Sequence, residues 1–409
     1  MDINQARFLV LQAEQGAKDS FSAIEQIALY NQEKVLEAFS KAKVAQRHFY
    51  PSTGYGYDDA SRRTLSEVYA KCFKTEDALV SPLISGGTGA LCLSLFGLLR
   101  PADLMLSVSG KPYETLSRVI SGSGTGSLQD FGIKYHEIAL ANGDFDLQAI
   151  SEYIKENRVK LAYIQRSRGY EFRRALSVEQ IGRVCLIIKK ADPNCIVLCD
   201  NCYGEFTELY EPSEVGADLI IGSLIKNPGG GLAPTGGYVA GKLAYIDAIS
   251  GKLTAPSVGR AVGSYAASYR PYFQGFFMAP STVSYALKGN ALASHIFTKL
   301  GYNVLPLPGE IPHDIVVAIK FNTKEELIAF CQSVQYASPV DGFVTACPGP
   351  MPGYSHEVIM AAGTFVQGGS LELTADAPIR KSYIAYLQGG LTYEHIKIAL
   401  IKILQSLDR

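Results

Sequence analysis

A lysine stands where an apolar run ends and a glycine-rich turn begins. Leu219-Ile220-Ile221 leads into Gly222-Ser223-Leu224-Ile225-Lys226-Asn227-Pro228-Gly229-Gly230-Gly231. A lysine among apolar walls loses part of its preference for the charged form, which frees the amine to attack a carbonyl. The alternative is a lysine that reaches out to solvent from a strand end. A second run, Ile196-Val197-Leu198-Cys199, ends in Asp200. A carboxylate buried there needs a cationic partner, unless it caps the next turn. A third group is Ser85-Gly86-Gly87-Thr88-Gly89-Ala90. Glycines let backbone approach a ligand, and free N–H groups at a helix start suit phosphate. It is neither a Walker loop nor a dinucleotide fingerprint, so alone it is also compatible with a plain strand-to-helix turn.

The three pieces together point further than each alone. Pyridoxal phosphate requires an imine-forming lysine, a carboxylate beside the pyridinium nitrogen and a phosphate cradle. Lys226, Asp200 and the Gly87-Thr88-Gly89 loop supply them, in that chemistry's terms. Asn227-Pro228 turns the chain away, and Gly229–Gly231 are expected to leave room beside the lysine for a bulky cofactor and substrate.

Such residues must be positioned by strand ends. From residue 76 short apolar runs alternate with helical stretches: 78–84, 104–108, 134–138, 161–165, 195–199, 219–223 and 237–240. The pattern predicts an α/β fold with a mostly parallel central sheet covered by helices, whose ligands lie off the carboxyl ends of the strands. Residues 2 to 44 read as helical. Asp58 or Asp59 is placed to cap the helix that follows. After about residue 280 the pattern turns α+β, with helices expected at 284–300, 324–333 and 392–407 and strands at 304–306 and 315–320. The division expected is 1–60, a helical segment and interface loop; 61–280, a large α/β domain; and 281–409, a small α+β domain.

Composition narrows the functional classes. The chain has 409 residues, 47% of them hydrophobic and 19% charged, with a formal net charge of −1. That leaves room for a large core and argues against nucleic acid or an anionic membrane as partner. No signal peptide and no membrane span is read, so a cytoplasmic location is expected. The eight cysteines are not a disulfide framework, and the six histidines are scattered, so no metal site is expected. Cys199-Asp200-Asn201-Cys202 is read as a chance CxxC whose thiols pack as small core residues.

Several stretches carry a family resemblance: residues 51–59 (Pro51 to Asp59), 165–170 (Gln165 to Tyr170), 200–206 (Asp200 to Phe206), 222–238 (Gly222 to Tyr238) and 386–393 (Tyr386 to Tyr393). On these the chain resembles the fold type I pyridoxal-phosphate enzymes of cysteine and methionine metabolism. It is especially similar to the bacterial methionine gamma-lyase family, or aluminium resistance protein, branch. The resemblance implies that Lys226 carries the cofactor and shuttles the Cα proton, and that Asp200 pairs with the ring nitrogen. It implies that Tyr203 hydrogen-bonds the ring hydroxyl and that Tyr113 stacks on the ring. Gly87, Thr88, Gly89 and Ser223 would hold the phosphate. Tyr55 and Tyr57 would reach a neighbour's phosphate, which implies a homodimer or homotetramer with a shared active site. For the carboxylate of a small amino-acid substrate an arginine fork fits best, with Arg380 first and Arg166 and Arg168 behind it. The implied activity is elimination at a C–S bond, as in a cystathionine beta-lyase or methionine gamma-lyase. An aminotransferase, a β- or γ-replacement enzyme, or an idle regulatory protein linked to metal tolerance are the alternatives. The chain departs from the better-known lyases in having Ser223-Leu224-Ile225-Lys226 where they have Ser-x-Thr-Lys, so substrate identity is not carried over.

Overall fold

All seven of the early apolar runs become strands of one sheet in the computed structural model, which describes residues 1–351 and 353–407. They are β1 (Asp77–Ser81), β2 (Leu104–Ser107), β3 (Lys134–Glu137), β4 (Val159–Gln165), β5 (Ile196–Asp200), β6 (Leu219–Ser223) and β7 (Gly237–Gly241). Their spatial order is β1-β7-β6-β5-β4-β2-β3. Only β7 runs against the others, pairing antiparallel with both β1 and β6. Period-two alternation splits each strand between two cores. Leu79, Leu161, Leu198, Ile221 and Val239 pack under α4 (Gly86–Leu98), α5 (Glu114–Ser121) and α8 (Leu243–Leu253). Val80, Ile164, Val197, Ile220 and Ala240 face the opposite layer of α2 (Lys18–Lys41), α3 (Ala60–Cys72), α6 (Leu147–Glu156), α7 (Val178–Ala191) and α9 (Arg270–Lys299). Asp59 caps α3, accepting from the Arg62 N–H at 3.0 Å.

The N-terminal helical stretch is two helices, α1 (Ile3–Gly16) and α2, parted at Ala17. Their apolar faces serve different cores. Ala6, Val10 and Ala13 of α1 join the smaller one, and Ile24, Val35 and Ala38 of α2 the larger. The helix expected from residue 284 starts earlier, at Arg270, and runs 30 residues through Pro280. Proline removes one helical hydrogen bond, but burial of Phe276, Ala279, Val283 and Leu287 on both sides holds the helix continuous.

The small sheet is antiparallel, in the order β10-β11-β12-β9-β8. Its strands are β8 (Asn303–Leu305), β9 (Val316–Lys320), β10 (Val358–Ala361), β11 (Thr374–Pro378) and β12 (Ile384–Gln388). One face packs on α10 (Lys324–Ala337) and α11 (Tyr393–Ser406). The likeness of this whole arrangement to the fold type I architecture is borne out below.

A buried ion pair joins the two sheets. Arg168, on the loop after β4, reaches Asp314, just before β9, through Nε at 3.2 Å and Nη2 at 3.0 Å. Its Nη1 donates to the Leu305 carbonyl at 2.7 Å. Both side chains are buried, so removing one partner leaves an unpaired charge. Arg168→Met is expected to lower unfolding stability in urea by about 3–5 kcal/mol. The double variant with Asp314→Asn should recover part of that loss.

Candidate active site

Alternation along the strands assembles the site. With Leu198 facing α4, Asp200 at the end of β5 faces α4 as well; with Ile221 facing α4, so does Ser223 at the end of β6. Helix α4 begins there, at Gly86. Its N-cap Ser85 makes no side-chain capping bond, so the first N–H groups of the helix point at the space in front of Ser223. A Cβ on Gly86 would lie 3.7 Å from Ser223 Oγ. Lys226 follows β6 and opens a short 3-10 turn, Asn227–Gly229. Asn227 Nδ2 donates to the Glu205 carbonyl at 2.9 Å, tying this turn to the one that follows Asp200.

Lys226 is half-buried and its walls are polar, which overturns the expectation of a lowered pKa. Burial alone would favour the neutral amine. The polar groups around it, among which the Asp200 carboxylate carries the opposite charge, outweigh burial and hold the ammonium well above the usual lysine range. Its Nζ sits 3.9 Å from the centre of the Tyr203 ring. Burial raises the Asp200 carboxyl, and the charge of Lys226 is the main opposing influence. Asp200 also accepts from the Cys202 N–H at 3.1 Å and the Tyr163 hydroxyl at 3.4 Å.

Tyr113 stands at the start of α5, over the same space. Its hydroxyl and that of Thr88 are 2.8 Å apart, and its N–H donates to Gln165 Oε1 at 2.9 Å. Asp200, Cys202 and Lys226 are all close enough to bear on the Tyr113 phenol, which burial keeps protonated. The Tyr203 hydroxyl is 3.3 Å from Ser370 Oγ. The structure therefore brings Lys226, Asp200, Tyr203, Ser223, Tyr113 and the Gly87-Thr88-Gly89 helix start together. Gln165 and Tyr163 join them without having been singled out in the sequence as site residues, and so does Cys202, which the sequence alone reads as a packing thiol. Gln165 ends β4, so the rule that sites lie at strand carboxyl ends could have found it.

The arginines part company. All five N–H donors of Arg166 are engaged: by Leu176 and Gly204 carbonyls, Asn201 Oδ1 at 2.7 Å, Thr207 Oγ1 and Glu208 Oε1 at 2.7 Å. Arg166 thus knits the turn that carries Asp200, Cys202 and Tyr203, and Arg168 is held by Asp314. Neither offers a free fork to a substrate. Arg380 is exposed, donates to the Tyr170 carbonyl and lies beside Tyr386. Tyr55 and Tyr57 lie on the surface, stacked on one another with ring centres 5.4 Å apart. Within one chain they are not brought to Lys226. The glycine run does not make room for a ligand: a Cβ on Gly230, at φ +56°, would lie 2.2 Å from the Gly275 carbonyl oxygen of α9. Those glycines let the lysine turn press against a helix backbone.

The donor set fits pyridoxal phosphate. A Cβ on Gly87 would lie 3.0 Å from Cys202 Sγ and 3.5 Å from Ser223 Cβ, so only glycine leaves this helix start open beside a hydroxyl. A half-buried amine and a buried carboxylate stand at the strand ends that flank it. The phosphate end calls for N–H and hydroxyl donors, the ring nitrogen for a carboxylate and the aldehyde for an amine, and each is present.

The model of the methionine gamma-lyase family matches residues 7–408. The YnbB protein of Bacillus subtilis (strain 168) is 47% identical over 388 residues, 94% of this chain and 92% of that protein. The structure of a candidate cystathionine beta-lyase involved in aluminum resistance, from Listeria monocytogenes, superposes with a TM-score of 0.95. It is 48% identical, with 98% of this chain and 99% of that one covered. The pyridoxal-5'-phosphate-dependent protein YhfS of Escherichia coli shares the fold at 15% identity, with a TM-score of 0.63 over 94% of this chain and 97% of that one.

Glu205 lies directly under the lysine turn and gives a pH signature. It is fully buried; Oε1 accepts from the Tyr238 hydroxyl at 2.9 Å, and Oε2 has no hydrogen-bond partner. Burial, with Glu211 nearby, pushes its carboxyl up to about 8. The folded value lies above the unfolded one, so the stability this group contributes is complete below the ordinary carboxyl range and is lost as pH rises toward 8. Thermal melts from the ordinary carboxyl value of 4.5 up to about pH 8 should show the wild type losing Tm that Glu205→Gln retains. Parallel curves would mean that Glu205 is ionised in the fold.

Proposed function

The chain belongs to the methionine gamma-lyase family, and we propose that it is a pyridoxal-phosphate-dependent lyase that breaks a C–S bond of a sulfur amino acid by elimination. The observation that supports this most strongly is the convergence of Lys226, Asp200 and the open start of α4 on one buried space. When bound, pyridoxal phosphate supplies an aldehyde that joins a primary amine and a ring that draws electrons from the carbon bearing that amine. The first N–H groups of α4, at Gly87, Thr88 and Gly89, and the hydroxyls of Thr88 and Ser223 would hold its phosphate. Asp200 would hold a proton on the ring nitrogen, and Tyr113 would cover one ring face. Lys226 would be the amine that anchors it.

The chain's own residues then divide the work of elimination. With its amine free, Lys226 Nζ would take the Cα proton as a general base. The C–S bond breaks with its electron pair on sulfur, and a thiol departs after protonation. Tyr203, whose ring packs on Lys226 Nζ, keeps the amine aimed into the pocket rather than back toward solvent. Arg380 is the arginine with accessible donors, and we assign it the substrate carboxylate. The location we propose is the cytoplasm. Tyr55 and Tyr57 would complete the neighbour's phosphate site in a homo-oligomer.

Lys226→Ala should abolish turnover of sulfur amino acids and the cofactor's visible absorption band; full lyase activity in that variant would refute the mechanism. Arg380→Leu should raise KM by about 10–100-fold with a smaller effect on kcat. An unchanged KM would move the carboxylate site elsewhere.

A further inference from the structure

Beneath the lysine turn lies a buried acid that the reaction above does not use. Glu205 sits on the turn after β5 with none of its surface exposed. Strand β6 makes room for it with a glycine. A Cβ on Gly222 would lie 2.3 Å from Glu205 Oε1 and 2.5 Å from the Tyr238 ring. Tyr238 of β7 donates to Oε1 at 2.9 Å. The titratable groups that bear on the carboxyl are Glu211 farther along its own loop, Tyr238, Lys226 on the neighbouring turn, Cys202 on its own turn and Tyr69 of α3. Of these only Lys226 is a cation, and its influence is smaller than that of burial.

Two buried oxygens of these turns lack a partner: Glu205 Oε2 and Asn227 Oδ1. Asn227 follows Lys226 directly, and its Nδ2 donates to the Glu205 carbonyl at 2.9 Å. A carbonyl takes only the N–H side of an amide, so Nδ2 and Oδ1 cannot be exchanged. A buried acceptor left without a donor is costly. Asn31 Oδ1 of α2 is also unpaired, but Asn31 is anchored farther along, on the Phe206 and Glu208 carbonyls. A carboxylic acid has one O–H to give and keeps its other oxygen for Tyr238. One proton on Glu205 therefore serves both orphaned oxygens. Burial, which favours the acid, outweighs its own backbone N–H and the Tyr238 hydroxyl, which favour the anion, and the carboxyl stays protonated up to about 8.

We propose that Glu205 is a positioning residue for the reactive amine: as a neutral acid it donates from Oε2 to Asn227 Oδ1, and this bond latches the turn that holds Lys226 beside the start of α4. Loss of the proton leaves two acceptors facing each other and releases the turn. The inference rests on Lys226 being the amine that anchors the cofactor, as read above. It adds what holds that amine in place and the condition under which the hold fails.

The test uses the full chain, stripped of cofactor and titrated with pyridoxal phosphate between about pH 7 and pH 9. With the carboxyl at about 8, the latched fraction falls about tenfold over that range. Wild type is expected to lose about tenfold in affinity relative to Glu205→Gln, whose amide keeps both bonds and does not titrate. The comparison cancels the titration of Lys226, which both proteins share. Tyr238→Phe removes a donor to the anion, so the wild-type loss should move up by about one pH unit. That variant keeps the test open if Glu205→Gln does not fold. Parallel affinity curves for wild type and Glu205→Gln, or a Tyr238→Phe midpoint that stays in place, overturn the assignment. A wild type that binds no pyridoxal phosphate refutes the lyase reading instead. The latch is then judged by amide hydrogen exchange of residues 223–233 at about pH 9: about tenfold faster in wild type than in Glu205→Gln if the assignment holds, equal in both if it does not.

Discussion

A positive charge held partly out of water at the ends of parallel strands is the constraint around which this molecule is arranged. An ammonium taken out of water is tolerated only when paired. The Asp200 carboxylate acts on the Lys226 charge through space, and the Tyr203 ring lies against its Nζ. The amine and these groups come from separate loops, so each loop must be held independently. Arg166 does this for the Asp200–Thr207 turn by placing all five of its donors on that turn and its surroundings. Asn227 does it for the lysine turn, and the Gly230–Gly275 approach fixes the turn against α9. The lysine charge, the buried arginine and the close-packed glycines are parts of a single arrangement.

The second sheet completes the pocket from the opposite side. Its helix-packed face supplies the hydrophobic core, and its other face supplies Tyr386, Asp376 and Gln388. Arg168 and Asp314 hold the two sheets in register through a buried ion pair whose geometry is bidentate. Lys226, Asp200 and the start of α4 therefore belong to the larger sheet's layer, and the side chains that face them from across the pocket to the smaller sheet.

Much of the large domain was legible in the sequence. Strands buried on both faces read as apolar runs, and the runs ending in Asp200 and Lys226 announced a site at their ends. The small sheet was less legible. β11, Thr374–Pro378, has one face of alanines and another that carries Asp376 toward the pocket, so it shows neither an apolar run nor a strong alternation. Asp376 was invisible for the same reason. The arginines were legible as candidates but not as roles, because the carbonyls and carboxylates that occupy Arg166 come from residues 176 to 208. The direction of the Lys226 pKa shift was misread since the walls supposed to be apolar are phenols, a thiol and a carboxylate. The Gly229–Gly231 run shows how one residue type serves two needs: sequence could show that a Cβ is excluded there, but not that the excluding group is Gly275.

The most direct measurement is the absorption spectrum of the purified protein before and after borohydride, followed by peptide mapping of the reduced adduct. The account predicts a visible band that borohydride removes, with the label on Lys226 alone. A protein that stays colourless when pyridoxal phosphate is added, or a label on another lysine, would contradict it.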